Sequence, residues 1–194
     1  MDTTYKMYCM GSVLIDKASS YISNDSSLND KAIRITPNNR GILGSLYDLT
    51  YPSTEILPNL YLGNSCNARD YYDLEKNNVG LVINSSPCIS NYFPDCFEYY
   101  NVDVKDISGA DILSHLDKTV TKMNDFLTEN KDKSIFVHCF MGSSRSATII
   151  IAYLIKYKNF RVRDAINYVK EKRCVVNLNV DFFNQLIKFS KENN

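Results

Sequence analysis

Cys139 and Arg145 stand six positions apart in the run Ile135-Phe136-Val137-His138-Cys139-Phe140-Met141-Gly142-Ser143-Ser144-Arg145-Ser146. A cysteine attacks only as the thiolate, and a neighbouring cation or a helix N-terminus lowers its pKa from an ordinary value near ~8.5. An arginine fork grips two oxygens of one phosphate. The residues between the two let backbone N–H groups curl into a nest around a dianion, with Arg145 closing over it and the sulfur beneath phosphorus. The chemistry that suits this pattern is displacement at phosphorus by sulfur.

Such a loop needs a strand before it and a helix after it. The β-branched and aromatic residues ending at His138 predict a strand that delivers Cys139 to the carboxyl edge of a sheet. Gly142 permits a tight backbone path. Ser143 and Ser144 are predicted N-caps for the apolar run Ala147 to Tyr157, which places unpaired N–H groups at the anion. Phe140, Met141, Gly142, Ser143, Ser144 and Arg145 are therefore the expected phosphate-binding loop. A buried cysteine after a strand and an arginine on a wet helix face would give the same pair. Gly142 and the strand-to-helix switch favour the loop. His138 precedes the nucleophile and should point to the opposite side of the strand, as a buried, hydrogen-bonded support rather than a base.

A departing phosphoester oxygen must be protonated, which calls for a carboxylic acid on a loop upstream of Cys139. Asp106 follows a predicted strand and precedes Ser108-Gly109. Asp103 and Asp111 compete, but Asp103 is expected to face outward on the strand and Asp111 to cap the next helix.

His138, Cys139, Gly142, Ser144, Arg145 and Ser146 resemble the signature loop of cysteine-dependent protein tyrosine phosphatases, closest to the dual-specificity branch. The resemblance extends over about residues 53 to 194, through Leu60-Tyr61-Leu62-Gly63 with Ala68, Val82-Ile83-Asn84-Ser85, and Arg173 to Asn179 with Phe183 and Gln185-Leu186. Two prolines usual in the closing segment are Cys174 and Leu178 here. The resemblance implies a metal-free phosphatase that works through a phosphocysteine and needs no cofactor. It points to Asp106 as general acid, to Ser146 as a donor to the returning thiolate, and to Asn179 as a brace behind the loop. Arg173 aligns with a position that in some relatives meets a second phosphate, although a surface arginine is the expected reading. Cys88 lies where some relatives carry a redox partner for the nucleophile.

The implied substrate is a phosphoprotein carrying phosphotyrosine, phosphoserine or phosphothreonine. Relatives that act on inositol lipids tend to have basic loops, and Phe140, Met141, Ser143 and Ser144 add no charge. An RNA 5′-phosphatase and a phosphate-binding pseudophosphatase are the alternatives. Lysine plus arginine and aspartate plus glutamate number 22 each, so no global charge points to nucleic acid or membrane. The six cysteines, Cys9, Cys66, Cys88, Cys96, Cys139 and Cys174, lack metal-ligand spacing. No signal-peptide, transmembrane or N-myristoylation pattern is evident. A nucleophile that must stay a thiol suits a reducing intracellular compartment, cytoplasm or nucleus.

Residues 1 to 52 read as an N-terminal extension and residues 53 to 194 as the catalytic domain. Positions 18 to 40 are rich in Ser, Asn and Asp with weak periodicity. Met7 to Ile15 and Ile42 to Tyr51 are more apolar and could dimerise or dock a partner, with packing on the parent domain favoured. Predicted strands cover Leu60 to Gly63, Gly80 to Asn84, Phe97 to Val104 and Ser134 to His138. Predicted helices cover Ala68 to Asn77, Asp111 to Asn130, Ser144 to Tyr157, Val162 to Arg173 and Asp181 to Asn193. Ile149 to Leu154 is apolar nearly all round, which makes that helix the expected central one. The fold class is α/β: a mixed, mostly parallel sheet of about five strands flanked by helices, the sandwich of the tyrosine phosphatases.

Overall fold

The structure is a computed structural model that describes residues 49–193. The expectations for positions 18 to 40, for Met7 to Ile15 and for most of Ile42 to Tyr51 lie outside the described residues.

Five strands form one mixed sheet: β1 (Thr54–Leu57), β2 (Leu60–Gly63), β3 (Val79–Asn84), β4 (Glu98–Asn101) and β5 (Ser134–His138). Their order is β1-β2-β5-β3-β4. Edge strand β1 pairs antiparallel with β2, while β2, β5, β3 and β4 run parallel to one another. The central strand β5, Ser-Ile-Phe-Val-His, is buried at every position. A parallel strand covered on both faces has this unbroken apolar character. Alternation sends Phe136 toward Ala68, Leu74 and Val82, and His138 stacks on Phe136 from the same side.

The helices are α1 (Tyr71–Lys76), α2 (Leu113–Glu129), α3 (Arg145–Lys158), α4 (Val162–Lys172) and α5 (Val180–Asn193), with a 3-10 turn at Asn67–Arg69. In α2 the buried residues Leu116, Val120, Met123 and Phe126 recur at helical spacing. α3 is buried from Arg145 through Ile155, which fits its place at the centre of the helical layer. It stops at Asn159, whose left-handed φ of 55° suits an asparagine C-cap.

The predicted elements agree with these to within a few residues, with three differences. β1 escapes the sequence reading because four residues with an outward Glu55 carry almost no periodic signal. The predicted helix from Ala68 splits, because the Asp70 carboxylate accepts the Asp73 N–H and starts α1 afresh. The strand predicted to reach Val104 ends at Asn101, although Val102 N–H still donates to the Asn84 carbonyl at 2.9 Å. Val104 N–H then turns back to the Val102 carbonyl and releases the chain into the loop that carries Asp106.

The segment before β1 is fastened to this body. Asn64 Nδ2 donates to the carbonyls of Leu49 and Tyr51, and Asn67 Nδ2 donates to Tyr51. Residues 49–52, assigned to the extension on sequence grounds, are thus hydrogen-bonded into the domain.

Candidate active site

Parallel α/β sheets place ligands beyond the carboxyl ends of their strands, and β5 ends there between β2 and β3. Cys139 follows β5 directly, and the chain needs only residues 140–144 to reach α3. Each carbonyl of this turn that has a partner finds it outside the loop's concave side. Phe140 O accepts from Ser65 N–H at 3.0 Å, Ser143 O from Asn177 N–H at 2.9 Å, and Ser144 O from Thr148 N–H at 2.8 Å. Gly142 O accepts from Arg173 Nε at 3.0 Å. The peptide bonds are all trans, so a carbonyl drawn outward aims the following N–H inward. The N–H groups of Met141, Ser143, Ser144 and Arg145 therefore line one concave face. That is an oxyanion cradle made from backbone.

Gly142 makes the path possible. Its φ is +68°, and a Cβ there would lie 2.4 Å from the Gly63 carbonyl oxygen. Its own N–H donates to Cys139 Sγ at 3.2 Å, and Ser146 Oγ donates to the same sulfur at 3.2 Å. Burial pushes the Cys139 thiol up, but the Arg145 guanidinium and hydrogen bonds from the Ser146 hydroxyl and backbone outweigh it. The thiol lies below its ordinary value even with the Asp106 carboxylate opposing. The surroundings thus shift the thiol toward ionisation without a dedicated base.

Arg145 is the first residue of α3 and is almost fully buried. Its Nη1 donates to Ser86 Oγ at 3.1 Å and to the Val104 carbonyl at 3.3 Å, which fixes the fork's direction. Its Nε has no hydrogen-bond partner and stands 3.6 Å from Asp106 Oδ2. A buried guanidinium nitrogen without an acceptor is costly unless an anion completes it. A phosphate oxygen would do so.

Asp106 is half-buried at the mouth of this site. Its Oδ1 accepts from Ser144 Oγ at 3.0 Å and from Asn179 Nδ2 at 3.4 Å. Asp103 is exposed, and Asp111 accepts the Ser114 N–H at 3.1 Å, as a helix-capping residue does. The structure brings Asp106, and neither competitor, to Arg145. Asn179 also caps α5, its Oδ1 accepting Asp181 N–H at 2.9 Å. His138 is buried and packs away from the loop's interior; its Nδ1 lies 3.3 Å from the Cys139 carbonyl. Burial holds its pKa down to about 4, against the Cys139 carbonyl and with the Arg145 charge adding to the depression.

The expectations for the N-caps and for Arg173 need correction. Ser144 sits at the N-cap position, yet no side chain caps α3. Its hydroxyl faces the Asp106 carboxylate instead and accepts from Asn179 N–H at 3.2 Å. Ser143, the other proposed cap, is buried and contributes its carbonyl to Asn177. Both leave the first N–H groups of the helix free of side-chain caps. Arg173, expected on the surface, is 0% exposed. Besides Gly142 it binds the Pro52 carbonyl at 2.6 Å and Thr54 Oγ1 at 3.1 Å through Nη1, and its guanidinium lies over the Tyr51 ring. Cys88 carries a free, exposed thiol on the turn after β3, whereas Cys139 is buried. Sequence reasoning missed Ser86 and misplaced Arg173. Ser86 follows a strand end beside β5, a position that could have marked it.

Fold and site together define a cysteine-dependent phosphatase domain. The family model "Dual specificity phosphatase, catalytic domain" matches residues 60–192, and the chain belongs to that branch of the protein tyrosine phosphatases. The protein phosphatase Slingshot of Drosophila melanogaster is 36% identical over 137 residues, which are 71% of this chain and 13% of that protein. Dual specificity protein phosphatase 1-A of Xenopus laevis is 36% identical over 149 residues, 76% of this chain and 39% of the relative. The chain therefore spans well under half the length of either. Among solved structures, human DUSP28 superimposes with a TM-score of 0.68 at 27% identity, over 72% of this chain and 96% of that one. The human tyrosine phosphatase-like serine/threonine/tyrosine-interacting protein gives a TM-score of 0.68 at 28% identity, over 73% and 97%.

Among the described residues no three His, Cys, Asp or Glu side chains cluster as metal ligands, and no helix is long and apolar enough to cross a membrane.

Proposed function

We propose that this chain hydrolyses phosphomonoesters on tyrosine, serine and threonine of proteins through a phosphocysteine intermediate, without a metal. The observation that carries the reading is Cys139 Sγ under two hydrogen bonds, at the floor of a turn whose carbonyls are drawn outward. Thiolate Cys139 attacks phosphorus in line, forming the S–P bond as the bond to the substrate oxygen breaks. Asp106 in its acid form gives its proton to that oxygen, and the alcohol or phenol leaves. Arg145 and the inward N–H groups hold the three equatorial oxygens throughout. Asp106, now a carboxylate, takes a proton from water as the water attacks phosphorus. The S–P bond breaks, inorganic phosphate departs, and the Ser146 hydroxyl steadies the thiolate that returns.

The uncharged side chains of Phe140, Met141, Ser143 and Ser144 support a phosphoprotein over a highly charged inositol lipid. A low-lying thiol pKa supports a reducing compartment, since the same thiolate is readily oxidised. The test is hydrolysis of aryl phosphates by reduced protein with and without chelator. Activity that resists chelator and vanishes in Cys139→Ser supports the enzyme. Asp106→Asn should slow esters of poor leaving groups by about two orders of magnitude. A reduced wild type that binds vanadate but turns nothing over would favour a phosphate-binding module, the alternative that a phosphatase-like interacting protein among the structural neighbours keeps in view.

A further inference from the structure

The loop that carries Asp106 is held along its length by one face of α5. Asp181 and Gln185 are four residues apart in that helix, and so lie on the same side of it. Asp181 Oδ2 accepts both Ser108 Oγ and Gly109 N–H at 2.8 Å. One turn on, Gln185 Oε1 accepts Ile112 N–H at 2.9 Å and Leu113 N–H at 2.8 Å, and Nε2 donates to the Ala110 carbonyl at 2.8 Å. Gly109 has φ +77°, with open space where a Cβ would stand, so glycine serves the turn's conformation rather than its packing. That turn presents the Gly109 N–H to the Asp181 carboxylate.

We propose that Asp181 and Gln185 are positioning residues for the leaving-group acid, holding residues 106–112 in the catalytic setting before substrate arrives. The proposal rests on the reading of Asp106 as that acid. Three features beyond helix stability carry it. Asp181 spends one carboxylate oxygen on two donors of the loop, just beyond Asp106. Gln185 uses both ends of its amide on loop backbone. Asn179, which caps the same helix, reaches Asp106 itself. The Gly109 N–H and Ser108 hydroxyl also hold the Asp181 carboxyl below the usual range, so the clasp is charged at neutral pH. An acid loop fixed in this way does not need to close over the substrate. Preset geometry of this kind lowers the reorganisation required at the moment of reaction.

The experiment compares full-length wild type, Asp181→Ala, Asp181→Asn and Asp106→Asn on two substrates. 2,4-Dinitrophenyl phosphate needs little protonation of its leaving group, whereas phenyl phosphate depends on it. Asp181→Ala should slow phenyl phosphate turnover by about tenfold, with a several-fold smaller loss on the dinitrophenyl ester and little change in vanadate affinity. Asp181→Asn keeps an acceptor oxygen and should recover part of the loss. Equal slowing of both esters would mean general damage and overturn the proposal, as would no slowing at all. If Asp106→Asn itself fails to discriminate the esters, the acid assignment falls and this proposal falls with it. Discrimination by Asp106→Asn without any by Asp181→Ala removes the proposal alone.

Discussion

Arg173→Met keeps much of the buried stem and removes the guanidinium that joins the catalytic loop to the chain before β1. Two backbone carbonyls lose a donor. Gly142 O lies in the buried turn and loses Arg173 Nε, while Pro52 O keeps the Thr54 hydroxyl at 3.3 Å. An unsatisfied buried acceptor costs about 1–3 kcal/mol, so Gly142 O counts fully and Pro52 O near the lower limit. Loss of the contact over the Tyr51 ring adds about 1 kcal/mol. Relief of the buried cation's desolvation offsets part of this. A net destabilisation of about 3 kcal/mol leaves most domains folded. It corresponds to a drop in Tm of roughly 10 °C for a chain of this size. The site should suffer separately. With Gly142 O released, the peptide it shares with Ser143 can rotate, and one N–H leaves the cradle. Vanadate should then bind about tenfold more weakly. Arg173→Lys should fall between, since one ammonium cannot serve both sides of the fork. The assay pairs thermal unfolding with the vanadate inhibition constant at one pH. A lower Tm with unchanged vanadate affinity would refute the positioning argument and leave Arg173 a structural residue. An unchanged Tm would refute the burial argument itself.

Gly142→Ala forces a side chain into the left-handed region, at about 1–2 kcal/mol, and drives a methyl against the Gly63 carbonyl. The turn must move, and kcat on aryl phosphates should fall by about two orders of magnitude while far-ultraviolet circular dichroism stays native; near-wild-type kcat would contradict the cradle. His138 supplies a pH test in urea titrations. Its folded pKa of about 4 lies below the ordinary value near ~6.5, so the unfolded chain takes the proton first. That contribution to stability is full above the ordinary value and is lost as pH falls toward the folded one. Between pH 7 and pH 5, in a Cys139→Ser background that removes the thiol's own titration, about 2 kcal/mol should disappear. His138→Gln should flatten that slope, and an equal slope in both proteins would rule out His138 as its source.

Where chemistry and chain direction coincide, sequence was enough. Cys139, Gly142 and Arg145 are close in the chain, and the apolar runs on either side of them, one short and ending at His138, the other long enough for a helix, mark the strand and the helix. The central burial of α3 follows from its unbroken apolar run. What escaped depends on contacts between distant segments. Arg173 resembles any charged residue at a helix end until Gly142, Pro52 and Thr54 are brought to it. Ser144 has the composition of a cap, but a carboxylate from another loop competes for its hydroxyl. Asp181 looks like an ordinary acidic residue in a first helical turn, and only the fold shows what its oxygen holds. β1 is too short to carry a pattern, and its pairing with β2 defines it.

The four outward carbonyls of the catalytic turn have a consequence for the protein's lifetime before it is fully folded. Their donors come from the turn after β2, from α3, from the end of α4 and from the segment before α5. No short stretch of chain contains them all, so the cradle cannot assemble as an autonomous hairpin. Until those segments have met, Cys139 lacks its Arg145, Gly142 and Ser146 environment and behaves as an ordinary, mostly protonated thiol. Reactivity comes only with the assembled turn. On the proposed mechanism, a nascent or partly unfolded chain is thereby spared both adventitious phosphate chemistry and the oxidation to which a thiolate is prone.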